Sequence, residues 1–354
     1  IRDRLNTLGQ SHFGIIPEKE YDEVNEEKGE GGEGTAGLEI RLVEDQLVVT
    51  RVFPGLPAAE AGVQPGWQVK LIGKRTADEI IKGATKVGEQ SVLRLETAVG
   101  LVCDSRTSGD IGDKLALAFI NHGEEVQLEY LNLERAPGRS GSFGNLPPFN
   151  VHFEARVLPE EIGYIAFNSF LGGPRMAKQY EDAVKEWQAQ GKRGLIIDLR
   201  GNRGGLMLLV NAMCGWLVDD KKAIGTMTMA GGNHLNMVLN PRKPRFDGPI
   251  AVLTDACSIS AAEVMAGGIK DLDVGRVFGG TTAGLVLPST VVRLPNGDGF
   301  QYAMSSWESA SGKSIEGVGV IPHEKIELSR ELLSKSDDPV LSAAKKWILE
   351  SNSR

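Results

Sequence analysis

Two short apolar runs constrain the fold most, because neither leaves a polar face. Gly194-Leu195-Ile196-Ile197-Asp198-Leu199 and Pro249-Ile250-Ala251-Val252-Leu253-Thr254 lack the alternation of a half-exposed strand. They predict strands buried on both faces of a parallel sheet. Helical patterns surround them. Residues 174–190 (PRMAKQYEDAVKEWQAQ) gather apolar side chains on one face and stop at Gly191. Residues 205–218 predict an apolar helix, and residues 260–270 predict another. Ile162-Gly163-Tyr164-Ile165-Ala166-Phe167 reads as a further strand, and Asn296-Gly297 marks a hairpin turn. This order predicts α/β layering.

The upstream half has a different character. Leu38–Leu42 and Leu47–Val52 alternate as strands, Pro54-Gly55 and Pro65-Gly66 mark turns, and Glu125–Leu131 closes the unit. Residues 82–110 interrupt it and read as an insertion. With 354 residues the chain is too long for one ordinary core. We divide it into an N-terminal helical segment and acidic linker (1–30), a β-rich unit (31–135), an α/β core (136–330) and a C-terminal helix (331–354). Residues 135–150 (RAPGRSGSFGNLPPFN), rich in Gly, Pro and Ser, mark the main boundary.

Composition excludes some functions. A formal charge of −8, with no basic run, argues against a nucleic-acid partner. No apolar stretch has membrane-spanning length. Three cysteines without metal-ligand spacing read as buried packing residues, and no metal or cofactor is expected.

The chemistry concentrates at two places. Asp255-Ala256-Cys257-Ser258-Ile259-Ser260-Ala261-Ala262-Glu263 carries a buried strand through small residues into a helix. A serine there exposes its hydroxyl beside the amides of a helix N-terminus, where an oxyanion can be held. The same pattern also describes a plain capping box, with Ser260 at the N-cap and Glu263 three residues on. Asp198-Leu199-Arg200-Gly201-Asn202-Arg203-Gly204-Gly205 places glycines after a strand, where backbone N–H groups approach a ligand. This block alone also fits a phosphate cradle or a tight turn.

Taken together, Gly163-Tyr164-Ile165, the block from Asp198 to Gly205, Ser260-Ala261-Ala262-Glu263 and Ile315-Glu316-Gly317-Val318-Gly319-Val320-Ile321-Pro322 occur in the order and spacing of the tail-specific, C-terminal processing serine proteases, which the chain resembles. Ala36–Ile40, Pro54–Ala58 and Gly62–Gly66 resemble the PDZ domain of that family. The resemblance implies a crotonase-like ββα-spiral peptidase domain behind an N-terminal PDZ-like domain. It implies an endopeptidase acting through an acyl-enzyme on Ser260, with Ala261 and Gly204 or Gly205 as oxyanion donors. Protein substrates would be held by their C-terminal tails along Gly37, Leu38, Glu39 and Ile40. A periplasmic or secreted location is also implied.

One departure matters. The family's common branch places a catalytic lysine in a turn 25 residues after the serine, and that position here is Leu285. A leucine takes no proton. Another branch, of tricorn-core and chlamydial type, uses Ser, His and Glu. Its pattern maps onto Ser260, Glu316 and His12, the last in Leu8-Gly9-Gln10-Ser11-His12-Phe13-Gly14. Neutral histidine suits a general base near pH 7, and a carboxylate can orient it. Two alternatives stand beside this expectation. One is a degenerate protease-fold scaffold that binds peptides without cleaving them; the other is a peptidase with a different lysine base, such as Lys313.

Overall fold

The computed structural model describes residues 5, 8–18, 33–89, 91–146, 149–335 and 338–352. Two compact units emerge, and the chain passes between them more than once. The first comprises residues 1–21, 141–326 and 340–354; the second comprises 22–140 and 327–339.

The first unit is built on a six-stranded sheet. Its order is Phe153–Leu158, Ile162–Phe167, Gly194–Asp198, Ile250–Thr254, Arg276–Gly279, Glu324–Lys325. The first pair is antiparallel and every later pair is parallel. All five residues of Gly194–Asp198 and of Ile250–Thr254 are buried, which is why neither run contains an alternating polar position. Helices Gly173–Ala189, Met207–Cys214 and Ala261–Asp271 pack their apolar residues into one core with the sheet. The expected helix over 205–218 is thus shorter. Gly194 admits close packing: a Cβ there would lie 2.5 Å from Ile348 Cγ2 on the terminal helix Pro339–Ser351.

Two three-stranded sheets also belong to this unit. Lys222–Met229 lies between His234–Leu239 and Ser305–Ser309. The hairpin expected across Asn296-Gly297 forms between Ser289–Arg293 and Gly299–Ala303. A short strand, Gly14–Ile16, adds to its free side, with Gly14 opposite Gln301 and Ile16 opposite Gly299. This strand sits two residues beyond His12 and fixes where that histidine stands. The expected helix near the N-terminus and the linker before residue 33 lie largely outside the described residues.

The second unit is an antiparallel sheet in the order Leu38–Val43, Gln46–Val52, Gln68–Ile72, Lys114–Ile120, Val126–Asn132. Residues 82–110 are not a mere insertion. They supply parts of helices Ala77–Glu89 and Leu95–Arg106, whose Ile80, Ala84, Ala98, Val99 and Cys103 close the core over the sheet. Residues 327–339, expected to lie in the α/β core up to 330 and with the terminal helix from 331, return to this unit instead. Leu333 packs on Val43 and Val48, and Arg330 Nε donates to Gly66 O at 3.1 Å.

Candidate active site

Strand Ile250–Thr254 ends at a turn braced by Asp255, whose Oδ1 accepts from the Gly201 amide at 2.9 Å and the Cys257 amide at 3.0 Å. The turn delivers Ser260 to the start of helix Ala261–Asp271. An ordinary N-cap is extended. Ser260 instead has φ 57° and ψ −116°, a region sparsely populated by residues other than glycine and costing about 1–3 kcal/mol. A cap alone gives no reason to hold that strain, and nucleophile turns characteristically do.

The glycine block lies directly against this serine. A Cβ on Gly204 would sit 2.7 Å from Ser260 Cβ and 3.0 Å from the Ala261 nitrogen. Asn202 sets the spacing: its backbone oxygen accepts from Ile259 N at 2.9 Å, and its Oδ1 accepts from Gly204 N at 2.9 Å. That last bond corrects one expectation, because it commits the Gly204 amide and removes it as an oxyanion donor. The Gly205 and Ala261 amides donate no hydrogen bond among the described residues. Gly204 therefore contributes close approach, while Gly205 and Ala261 keep N–H groups to offer.

Glu263 does more than cap. It is fully buried and its carboxylate accepts four hydrogen bonds: from Ser260 N (3.0 Å), Thr282 Oγ1 (2.6 Å), Gly284 N (2.6 Å) and Leu285 N (2.9 Å). Burial pushes its pKa up to about 7, against the pull of those four donors. The carboxylate thereby clamps the serine helix to the 282–285 turn, where the lysine of the other branch would stand.

Glu316 meets the same turn from the other side, since Val286 N donates to its Oε2 at 2.9 Å. Its carboxylate also accepts from Ser11 N (2.8 Å to Oε1) and Ser11 Oγ (3.1 Å to Oε2). Ser11 Oγ lies 2.7 Å from His12 Nδ1. The expected His–Glu contact is thus relayed through Ser11, a buried residue that the sequence reading passed over. Its one signal was a hydroxyl next to the histidine. The hydroxyl has a single proton and a carboxylate only accepts, so that proton goes to Glu316 and Nδ1–H donates to Ser11 Oγ. This tautomer leaves Nε2 as the acceptor. Burial lowers the His12 pKa, and the Glu316 charge opposes that shift. No hydrogen bond joins His12 to Ser260 among the described residues.

In the second unit, Leu38, Glu39 and Ile40 lie on an edge strand. The Gly37 amide, expected to meet a ligand carboxylate, instead donates to Thr35 Oγ1 at 3.1 Å. A Cβ on Gly37 would lie 2.2 Å from Leu56 Cβ, so this glycine serves close packing.

The family model of peptidase family S41 matches residues 161–326. The carboxy-terminal processing protease CtpA of Bacillus subtilis (strain 168) is 28% identical over 88% of this chain, which spans 59% of the length of CtpA. Among solved structures, a photosystem II D1 C-terminal processing protease aligns with a TM-score of 0.59 and 20% identity, covering 93% of this chain and 81% of its own. Mature CPAF aligns with a TM-score of 0.61 and 12% identity, covering 97% and 87%. These structural likenesses extend to the fold. No helix among the described residues is long and apolar enough to cross a membrane.

Proposed function

We infer, from a chain whose residues 161–326 match the model of peptidase family S41, that it is a serine endopeptidase whose first unit is a crotonase-like ββα spiral. Ser260 attacks the scissile carbonyl, His12 Nε2 takes its proton, and the Gly205 and Ala261 amides receive the oxyanion. Ser11 and Glu316 stand behind the base. When the imidazole gains a proton, the positive charge is stabilised by Glu316 across the Ser11 hydroxyl. Leu285 offers no alternative proton acceptor.

The observation that carries this reading is the Glu316–Ser11–His12 chain, which selects the tautomer with Nε2 open for proton transfer. The second unit is read as a PDZ-like module that recruits protein substrates through their C-terminal tails, by strand addition at the outward groups of Leu38 and Ile40.

Labelling with a fluorophosphonate tests the nucleophile and its activation together. Label should attach to the parent protein, disappear in Ser260→Ala, and form at a much reduced rate in His12→Ala. Equal labelling of parent and Ser260→Ala would remove the assignment, and loss of labelling together with loss of the folded circular-dichroism signal would not count as support.

A further inference from the structure

The edge strand Leu38–Val43 pairs with Gln46–Val52 alone among the described residues. Backbone groups alternate sides along a strand. Gly37 O accepts from Phe53 N at 2.9 Å and so faces the sheet. Glu39 O faces it too, where Thr50 Oγ1 donates to it at 3.4 Å. The N–H and C=O groups of Leu38 therefore face outward, where an added strand would bond; past the register shift between Glu39 and Ile40, those of Ile40 do so too, because Val49 opposite it commits its own N–H and C=O to Trp67 O and Gly66 N.

One of those groups is already taken. Arg41 leaves the strand on the face opposite to Ile40 and wraps round the edge. Its Nη1 donates to Ile40 O at 3.0 Å and to Asp104 Oδ1 at 2.7 Å. Asp104 belongs to helix Leu95–Arg106, which packs along the same strand. Glu39 Oε2 lies 3.7 Å from Arg41 Nη2, and only 9% of the arginine side chain is exposed. The guanidinium thus bridges helix and strand over the outward carbonyl of Ile40.

We propose that Arg41 and Asp104 form a latch across the peptide-binding edge, one that an incoming strand must open before it can pair with Ile40. The proposal rests on the reading of this edge as the substrate-tail site. An added strand normally bonds both the N–H and the C=O of a facing residue. With the latch closed, only the Ile40 N–H is on offer, so a tail engages Leu38 fully and Ile40 by half. Edge protection by a charged side chain also blunts unwanted pairing between copies. The affinity for a tail is the price of that protection.

The test uses the full chain carrying Ser260→Ala, so that bound peptide stays intact. The probe is a fluorescein-labelled hexapeptide of alternating valine and threonine with a free C-terminal carboxylate, followed by fluorescence anisotropy. Releasing one charge-assisted hydrogen bond should tighten binding by roughly threefold to tenfold in Arg41→Ala. Asp104→Asn, which keeps the arginine and the shape of the helix, should tighten it in the same direction. Arg75→Ala, which removes an exposed arginine paired with Glu79, should leave binding unchanged. Binding to the parent with equal or weaker binding to Asp104→Asn overturns the latch and leaves the edge reading standing. No binding to the parent or to any variant overturns both.

Discussion

The Ser260 amide and the Glu316 carboxylate grip opposite sides of a single peptide unit. Ser260 N donates to Leu285 O at 3.0 Å, and the amide of the same peptide, Val286 N, donates to Glu316 Oε2 at 2.9 Å. Standard peptide dimensions then place Ser260 N and Glu316 Oε2 no more than roughly 8 Å apart. The nucleophile and the charge behind the base share one rigid spacer, and the 285–286 peptide is where a change in either would be felt by the other.

Activity should rise with pH through a step below histidine's ordinary value of about 6.5, because burial lowers the His12 pKa. The sign for Glu316→Gln follows from its charge. That charge favours imidazolium, so its removal moves the step lower still and cuts kcat by roughly tenfold or more. Ser11→Ala should shift the step in the same direction with a smaller effect on KM than on kcat. Rate profiles from pH 4 to 9 would check this; a step that moves upward in either variant contradicts the relay.

Ser260 should be replaceable by glycine at a gain in stability. Both Ser260→Ala and Ser260→Gly should lose nearly all turnover. At φ 57° the alanine variant keeps the strain and the glycine variant sheds it. Ser260→Gly should therefore be more stable than Ser260→Ala by about 1 kcal/mol. Thermal melts of the two variants side by side decide the matter, and an alanine variant that melts higher would refute the strain.

Gly204→Ala should damage the site and the fold together. The residue has φ +81°, and the new methyl would meet Ile259 O at 2.7 Å and Ser260 Cβ at 2.7 Å. We expect a loss of about 1–3 kcal/mol from the backbone alone. Fluorophosphonate labelling should also slow, because the methyl pushes on Ser260 and the Ala261 nitrogen. Labelling at the parental rate would show that the glycine's close approach is dispensable.

Glu263→Gln should destabilise the protein near pH 4.5 by about 2–4 kcal/mol, since an amide nitrogen would face donors that now bond carboxyl oxygens. The pH dependence has a definite sign. The folded pKa, about 7, lies above the ordinary carboxylate value of 4.5. The folded state therefore binds the proton more tightly, and this contribution is full below about 4.5 and fades as pH rises through 7. The stability margin of the parent over Glu263→Gln should shrink by about 3 kcal/mol across that interval. Denaturation series at pH 4.5, 6 and 8 would measure it, and a widening margin would reverse the assignment of burial as the dominant cause.

Part of the site was legible in the chain. Ser260 and the glycine block each follow a wholly buried strand, and strand ends of that kind open onto the same side of a parallel sheet; each motif alone also fitted a cap or a tight turn, and the family resemblance singled them out. The role of Asn202 was hidden inside the block, since an asparagine in a turn serves many purposes. Ser11 was missed because nothing local distinguishes a relay hydroxyl from any other serine. Residues 82–110 were misjudged because Ile80 and Ala84 on one helix, and Ala98, Val99 and Cys103 on the next, show their purpose only against the sheet they cover.

By itself the sequence determined the buried strands, the helix that begins after Ser260, the hairpin at Asn296-Gly297 and the absence of a lysine at position 285. Each of these follows from patterns within about twenty residues, where periodicity, turn chemistry and side-chain identity act locally. Only the tertiary structure decided which glycine amide is committed, which hydroxyl joins the histidine to its carboxylate, and that Arg41 covers an edge carbonyl. The Ser11–Glu316 contact spans 305 residues of chain. Such contacts are chosen by strand addition and packing across the whole molecule, and no local pattern encodes the distance between their ends.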